Sequence, residues 1–255
     1  MCHYARVKSA RDTWLVFQRE MLLFVRTPVQ IAFSLAYPVT YLVIFAPMLK
    51  RALVTQGVTT YAEAYRVYVP GLLALTATLG GLLTGFALLA EMQAGIIERS
   101  RVTPVSRGAI VLGRALREVL VLLLQAVVIT LVAVPFGLRV AIPALLVAYL
   151  LYALLALTAV MLSYGLTMWV RNSAALGPVM TAVSQPLMLL SGMLLPLALA
   201  PLWMLDIARG NPFYWATNGM RALFSGNVGA ASVWVSLASA LVLSALAQHR
   251  LARTM

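Results

Sequence analysis

Long apolar runs separated by short charged stretches constrain the fold of this chain more than any other feature of its sequence. Between two of these runs lies a charged island, residues 91–118, which carries eight charged side chains in the sequence EMQAGIIERSRVTPVSRGAIVLGRALRE. One charge at the centre of a bilayer costs about 2.5–3.5 kcal/mol on insertion scales, so the island must lie outside the hydrocarbon. The whole chain is 62% hydrophobic and only 10% charged, which is typical of an integral membrane protein.

Six apolar segments are long enough to cross the roughly 30 Å of hydrocarbon in a bilayer. They cover residues 28–49, 69–90, 119–138, 142–170, 174–195 and 232–248. When they are threaded alternately from an inside N-terminus, thirteen Lys and Arg residues fall on the cytoplasmic side and six fall outside. This asymmetry favours six spans with both termini in the cytoplasm. The sequence therefore predicts an all-α integral membrane protein of the cell (plasma) membrane.

Residues 1–27 form a cytoplasmic N-terminus in which we predict an amphipathic helix. Apolar residues recur at helical spacing at Trp14, Phe17, Met21 and Phe24, while Asp12, Arg19 and Arg26 repeat every seventh position on the other side. Such a helix can lie in the headgroup plane with its aromatic residues towards the lipid. Val16 and Leu23 interrupt the polar side, so a helix packed within the bundle is the alternative interpretation.

Residues 196–231 do not fit a plain loop. The segment is too apolar for a solvated linker, but charged residues, prolines and glycines interrupt it. Backbone at membrane depth must satisfy its own hydrogen bonds, so we predict two short helices that dip back into the outer leaflet. Asn211-Pro212 is the predicted turn between them. An amphipathic loop on the outer surface is the alternative.

The polar residues inside the predicted spans are uncharged. Gln125 and Gln185 are the most polar of them, and Thr76 and Ser163 are among the smaller ones. We expect most of these side chains to form hydrogen bonds between helices rather than to contact a ligand. A proton- or ion-coupled transporter usually has an ionisable group at mid-membrane, so that class is disfavoured. Gly81 and Gly85 predict close packing between two helices.

No motif for catalysis or metal binding is found in the sequence. It contains no phosphate-binding loop of the G-x-x-x-x-G-K-[ST] type, no H-E-x-x-H and no G-x-S-x-G,. The single cysteine, Cys2, excludes an internal disulfide and a multi-cysteine metal site. The net charge of +12 is distributed between apolar runs, which indicates topology signals and contacts to membrane lipid rather than nucleic-acid binding. We therefore predict no catalytic, cofactor or metal site on this chain.

Two spaced motifs resemble those of the membrane permeases of type-2 ABC exporters, especially the daunorubicin-resistance and nodulation-factor export branch. In the island, the family pattern E, G-x-x-E-R, T-P-x-S-R, G-[KR] is matched by Glu91, Gly95–Arg99, Thr103–Arg107 and Gly113-Arg114. The second pattern, S-G, P, P-x-W, N-P and R-A-L, is matched from Ser191-Gly192 to Arg221-Ala222-Leu223.

This resemblance implies roles for both motifs. The island looks like a coupling loop seated in a groove of a separate ABC ATPase, and its coupling residues are Glu91, Gly95, Glu98, Arg99, Pro104 and Arg107. The later motif looks like the paired re-entrant helices that close the outer side of the pathway, with Gly192, Pro196, Pro201, Trp203, Asn211, Pro212 and Arg221. The resemblance also implies two copies of the ATPase, with ATP and Mg²⁺ bound there, and a second permease copy or a paralogue.

On the same resemblance, the substrate pathway lies between two permeases and is lined by the first, second and fifth spans. Its expected lining residues are Tyr37, Tyr41, Thr78, Gln185 and Met188, which suit an amphipathic, drug-like or lipid-like substrate. Two other functions stay open. One is a membrane enzyme acting on lipid-linked precursors, for which only Asp206, Arg209 and Arg221 could form an outer cluster. The other is a membrane scaffold without transport.

Overall fold

The computed structural model describes residues 2–52, 60–95, 107–193 and 200–254, and the regular structure in these ranges is helical. The prediction of an all-α fold is thus confirmed for the described residues. The helices are α1 (Cys2–Val25), α2 (Pro28–Ala52), α3 (Tyr61–Gln93), α4 (Arg107–Ala133), followed by a 3-10 turn (Val134–Phe136), α5 (Ile142–Val170), α6 (Ser173–Leu189), α7 (Leu202–Arg209), α8 (Pro212–Phe224) and α9 (Ala231–Thr254).

Four stretches of the described residues are long and apolar enough to cross a membrane. They are Tyr61–Gln93, Gly108–Phe136, Ile142–Val170 and Ala231–Leu251. They contain the second, fourth and sixth predicted spans, and residues 119–136 of the third. The first predicted span corresponds to α2, which has 25 residues. The fifth corresponds to α6, which has 17 residues. The chain is therefore a multi-pass membrane protein, and the count of six spans stays a prediction.

A closely packed pair, α3 and α5, forms the centre of the bundle. α3 begins at a capping box in which Thr60 and Glu63 each bind the other's backbone N–H,. At Gly81 a methyl group would lie only 2.6 Å from the Cβ atom of Ala159. The predicted close packing at this glycine is therefore confirmed, because only a residue without a side chain fits there.

Small hydroxyl side chains join the same two helices. Ser163 Oγ accepts the N–H of Gly85 at 2.9 Å and donates to the carbonyl of Leu82 at 2.5 Å. Thr167 donates to the carbonyl of Gly85 at 3.2 Å. Nearer the other end of the pair, the hydroxyl oxygens of Thr76 and Tyr152 lie 3.4 Å apart. The expected use of Thr76 and Ser163 in hydrogen bonds between helices is thus confirmed.

The long helices alternate in direction. The C-terminal parts of α3, α5 and α9 meet the start of α4 in one cluster, which contains Leu88, Val111, Tyr164 and Leu251. At the opposite end, Tyr65 at the start of α3 stacks on Phe136 after α4, with ring centroids 5.2 Å apart. We call the first of these ends the Glu91 end, because Glu91 lies in the last turn of α3. The end of α9 and the charged side of α1 both lie there.

Helix α1 packs along the first half of α4. A methyl group at Gly113 would lie 2.8 Å from Val16 Cβ and 2.9 Å from the carbonyl oxygen of Thr13, so α4 can approach α1 only because residue 113 is glycine. Val16, which interrupts the polar side in the sequence, is thus a packing residue. This contact favours the bundle-packed interpretation for that face. Trp14, Leu15 and Leu22 remain exposed, and a position in the headgroup plane stays a prediction for them.

The helix within the predicted fifth span, 174–195, ends before the predicted C-terminal boundary. α6 ends at Leu189, and residues Leu190 to Met193 turn away from the helix, with Gly192 at a φ of +69°. Only glycine adopts that backbone conformation at little cost. At 1.5 Å per residue, α6 is about 25 Å long. Most of it is not covered by the rest of the chain, since only Leu176 and Met180 are buried.

Candidate coupling site

A cluster of charges around the buried Arg114 joins three helices at the Glu91 end. Arg114 of α4 forms an ion pair with Glu91 of α3 through Nη1, and its Nε lies 3.8 Å from Glu20 Oε1 of α1. The Arg114 side chain is only 10% exposed. The two carboxylates offset part of the desolvation cost of the guanidinium, so removing either kind of partner would leave a charge without compensation. We call Glu20, Glu91 and Arg114 the charge cluster.

The charge cluster was only partly predicted from sequence. Glu91 was expected to belong to the coupling site, but Arg114 was noted only as the end of the first motif, and Glu20 was assigned no role. Two signals could have indicated the cluster: Gly113-Arg114 pairs a close-contact residue with a cation, and Glu20 lies on the polar side of an amphipathic helix. Which helix that polar side faces cannot be inferred from periodicity alone.

The loop that follows Glu91 is described only at its two ends. Gly95, at a φ of +69°, follows α3, and an added Cβ there would meet no atom within 4 Å. α4 begins at Arg107. Glu98, Arg99 and Pro104 lie outside the described residues. The loop therefore leaves and rejoins the bundle within reach of the charge cluster, and the coupling roles of its residues stay predictions.

A second ion pair lies one turn further along α4. Arg117 Nη1 binds Glu118 Oε1, and the guanidinium carbon of Arg117 lies 5.0 Å above the ring of Phe24. This cation–π contact attaches the end of α1 to α4. Arg117 Nε is buried and has no hydrogen-bond acceptor among the described residues. The pair borders a cavity of about 550 Å³ between α2, α3 and α4.

Two residues of the second motif, Asn211 and Arg221, form hydrogen bonds to backbone carbonyls at and just after the end of α6. Arg221 of α8 donates from Nη2 to the carbonyl of Gly192 at 2.6 Å. Asn211 donates from Nδ2 to the carbonyl of Leu187 at 3.2 Å, and its Oδ1 accepts the N–H of Phe213 at 3.0 Å. These bonds satisfy carbonyls at the end of α6 and cap the start of α8. The motif therefore connects α8 to the end of α6.

The remaining residues of the second motif have separate positions. The predicted turn is confirmed, since α7 ends at Arg209 and α8 begins at Pro212. Pro201 immediately precedes α7, and Trp203 within it is exposed. Pro196 lies outside the described residues. Whether α7 and α8 enter the membrane stays a prediction.

Replacing Asn211 tests the connection between α6 and α8. Asn211→Ala removes both the helix cap and the bond to Leu187, and should lower the free energy of unfolding by roughly 2 kcal/mol. Asn211→Asp keeps the oxygen that accepts the cap hydrogen bond but loses the amide donor. Its free energy of unfolding should therefore lie between those of Asn211→Ala and the wild type. Thermal unfolding of the purified protein, with amide hydrogen exchange at residues 187–193, measures both effects.

Asn227→Ala is the matched control for this test, because Asn227 is exposed in the turn after α8. It should leave stability and exchange unchanged. If Asn211→Ala behaves like Asn227→Ala, then the bonds at Asn211 do not hold α8 in place.

The expected pathway residues differ in their exposure. Tyr37 and Tyr41 of α2 are adjacent, with ring centroids 4.7 Å apart, and Tyr37 is exposed. Gln185 is exposed on α6, and Met188 is partly exposed. Thr78 is fully buried and donates to the carbonyl of Ala74. It therefore does not reach the protein surface in this conformation.

The outer cluster that a membrane enzyme would require is separated in the structure. Asp206 and Arg209 pair with each other at 3.1 Å, with side chains 70% and 66% exposed. The guanidinium of Arg221 is instead directed to the Gly192 carbonyl. Within the part of the chain that the structure describes, no group of three or more His, Cys, Asp or Glu residues could hold a metal ion.

Comparison with known proteins agrees with these features. The family model described as "ABC-2 type transporter" matches residues 11–225, from the N-terminal helix to the end of α8. The chain is also 26% identical over 211 residues to a protein of Porphyra purpurea named "Putative transport permease ycf38", a match that covers 82% of this chain and 72% of that protein. The family match includes both the charge cluster and the bonds between α6 and α8, and the chain belongs to the ABC-2 type transporter family.

Proposed function

We propose that this chain is the permease subunit of an ATP-driven exporter that moves an amphipathic, drug-like or lipid-like substrate out of the cytoplasm. Membership of the ABC-2 family supports a permease role and implies an ABC ATPase as partner. The sequence carries no phosphate-binding loop, so ATP and Mg²⁺ would be bound by that partner. Two ATPase subunits would serve one pair of permeases, in the plasma membrane, with both termini of each permease in the cytoplasm.

The observation that carries this proposal is the charge cluster at the start of the loop. Glu91 lies in the last turn of α3 just before the loop, and Arg114 connects it to α4 and to Glu20 of α1. A displacement of the loop would therefore move the ends of three helices together. This is how a rigid-body switch transmits work from an interface into a bundle. The ATPase would supply the displacement when its two subunits close on ATP.

A second copy of the permease, or a paralogue, would complete the pathway. α2 and α6 lie on the periphery of the chain and expose apolar side chains, among them Phe33, Tyr37, Ile44 and Leu189. A bundle of this size offers only one wall of a channel. Two such walls facing each other would enclose the pathway. In this arrangement Tyr37, Tyr41, Gln185 and Met188 would line it, with its outer side closed by α7 and α8.

Two alternative functions differ from this one in measurable ways. A membrane enzyme would need the outer charged residues to act together, but Asp206 and Arg209 form an exposed pair away from the hydrogen bond of Arg221. A scaffold without transport would bind its partners without linking ATP hydrolysis to the movement of a substrate. The coupling loop therefore provides the decisive experiment.

The double substitution Glu98→Ala with Arg99→Ala should leave the protein inserted and folded but abolish export. The reason is that the two charges would form charge-assisted hydrogen bonds to the ATPase. The measurement uses proteoliposomes of the purified permease with its copurifying ATPase, with uptake of a fluorescent amphipathic dye and phosphate release followed together. Dye transport should fall at least tenfold, while the ATPase continues to hydrolyse ATP without stimulation by the dye.

The control is Asp206→Ala with Arg209→Ala, which also removes one acid and one arginine but at an exposed pair in α7. That variant should transport as the wild type does. Normal transport by the loop variant would contradict the coupling role. Failure to recover any ATPase with the wild-type permease would contradict the proposed function itself.

A further inference from the structure

The cavity between α2, α3 and α4 is formed within a single protomer, and Tyr37, which would also line the proposed pathway, lies at its edge. Its volume of about 550 Å³ falls within the range of about 300–1,000 Å³ that is usual for ligand pockets. Leu79 and Leu83 of α3, with Val121 and Leu122 of α4, form part of its apolar lining. Tyr37 and Leu83 are also exposed at the surface, so the cavity opens between α2 and α3. An apolar chain could therefore enter sideways.

The polar end of the cavity is formed by Arg117 and Glu118. Their side chains are 17% and 18% exposed, so they are mostly withdrawn from water but still reach the cavity. Among the described residues, each has only the other as its ion-pair partner. A guanidinium has five N–H donors and a carboxylate has about four acceptor positions, so one mutual hydrogen bond leaves most of this capacity unused. The pair can accept a further polar group.

The position of this pair along α4 matches the depth of a lipid headgroup. Glu118 is the last charged residue before the apolar run 119–138, so the pair lies at the boundary of the hydrocarbon. Gln125, which also borders the cavity, is seven residues further along the helix, about 10 Å into the apolar layer. The cavity thus has a polar group at headgroup level and apolar walls beyond it.

Charge complementarity selects the class of ligand. An anion bound to Arg117 would be repelled by Glu118, and a cation bound to Glu118 would be repelled by Arg117. A zwitterion satisfies both and adds no net charge to a partly buried site. A primary ammonium is favoured over a quaternary one, because only the former can donate hydrogen bonds to the carboxylate.

We propose that this cavity binds a zwitterionic membrane lipid with a phosphoethanolamine headgroup. Arg117 donates to the phosphate oxygens, Glu118 accepts from the ammonium, and one acyl chain lies between Leu79, Leu83, Val121 and Leu122. The lipid would hold α2, α3 and α4 together at the end of the bundle that carries the coupling loop. This inference rests on the chain's membrane location and does not require the proposed export.

The test compares four single-chain probes of equal acyl length, bound to the purified permease in maltoside micelles and measured by native mass spectrometry. They are lysophosphatidylethanolamine, lysophosphatidic acid without the ammonium, an alkylamine without the phosphate, and a neutral monoacylglycerol. The wild type should bind the first at least tenfold more tightly than the others. In the Glu118→Gln variant, lysophosphatidylethanolamine should no longer bind more tightly than lysophosphatidic acid. In the Arg117→Met variant, it should no longer bind more tightly than the alkylamine.

A pair of exposed alanines on α3 provides a steric test that spares the ion pair. Ala87 borders the cavity and is exposed, whereas Ala90 is equally exposed but does not border it. Ala87→Phe should weaken binding of lysophosphatidylethanolamine at least tenfold, and Ala90→Phe should not. Equal binding of all four probes, tighter binding of an anion or a cation, or an unaffected Ala87→Phe variant would overturn the proposal. The wild-type comparison and the alanine pair decide it even if a charge variant fails to fold.

Discussion

Arg114→Met should lower the free energy of unfolding by up to about 3–5 kcal/mol, the cost of removing one partner from a fully buried ion pair, since Arg114 is buried while the Glu91 side chain is 31% exposed. The substitution leaves the carboxylates of Glu91 and Glu20 without the cation that now lies between them. Methionine has nearly the same side-chain volume as arginine. The lost stability therefore reports the removal of the charge rather than a change in packing. Thermal unfolding of the purified permease in detergent, followed by circular dichroism, measures it.

The double variant Arg114→Met with Glu91→Gln separates charge from other effects. It removes the unpaired carboxylate in α3 and should recover a large part of the lost stability. In a double-mutant cycle, the two substitutions together should therefore cost less than the sum of their separate costs. Arg209→Met is the matched control, because the Asp206–Arg209 pair is exposed and should contribute no more than about 1 kcal/mol,. If Arg114→Met and Arg209→Met have equal effects, the charge cluster does not hold α1, α3 and α4 together.

Gly85→Val should destabilise the bundle by about 1–3 kcal/mol or prevent its folding, since added side-chain volume in a close contact cannot be accommodated without moving a helix. A Cβ atom at Gly85 would lie 2.5 Å from Ser163 Oγ and 2.8 Å from Met180 Cε. The backbone of Gly85 also exchanges hydrogen bonds with Ser163 and Thr167. The substitution would therefore separate α3 from α5 and break those bonds. The unfolding midpoint and the monodisperse fraction in gel filtration measure the outcome.

Gly165→Ala serves as the control for helix-propensity effects. Gly165 lies in α5, and a Cβ atom there would meet nothing within 4 Å. Alanine should then stabilise the helix by about 0.5–1 kcal/mol, because it loses less conformational freedom on folding. A fully stable Gly85→Val variant would contradict the close contact described between α3 and α5, and a destabilised Gly165→Ala variant would contradict the open space around residue 165.

Features that depend on local chemistry were predicted well from the sequence. Apolar runs predicted the long helices, Gly81 predicted a close contact, and Asn211-Pro212 predicted the turn between α7 and α8. In each case the residues that cause the feature are adjacent in sequence or lie on one helix face. Proline fixes its own φ angle, and glycine allows a neighbouring helix to come close, because it has no side chain. Both effects are properties of the residue itself and do not depend on distant parts of the chain.

Features that depend on distant partners could not be predicted in the same way. The polar side of α1 is visible in the sequence, but its partner Arg114 lies in a different helix. The end of α6 was missed for another reason. Residues beyond Leu189 remain apolar, so hydropathy continues across a point where the backbone at Gly192 leaves the helix. Hydropathy reports solvent preference and carries no information on backbone angles.

The unequal lengths of the helices restrict how the bundle can move in a bilayer. α3 has 33 residues, about 50 Å, so it can tilt and still cross the hydrocarbon, whereas α6 at about 25 Å cannot,. As the predicted fifth span, α6 would cross the hydrocarbon only if it stood upright and the lipid beside it thinned locally. In that arrangement, tilting during a transport cycle would fall to α3 and α5.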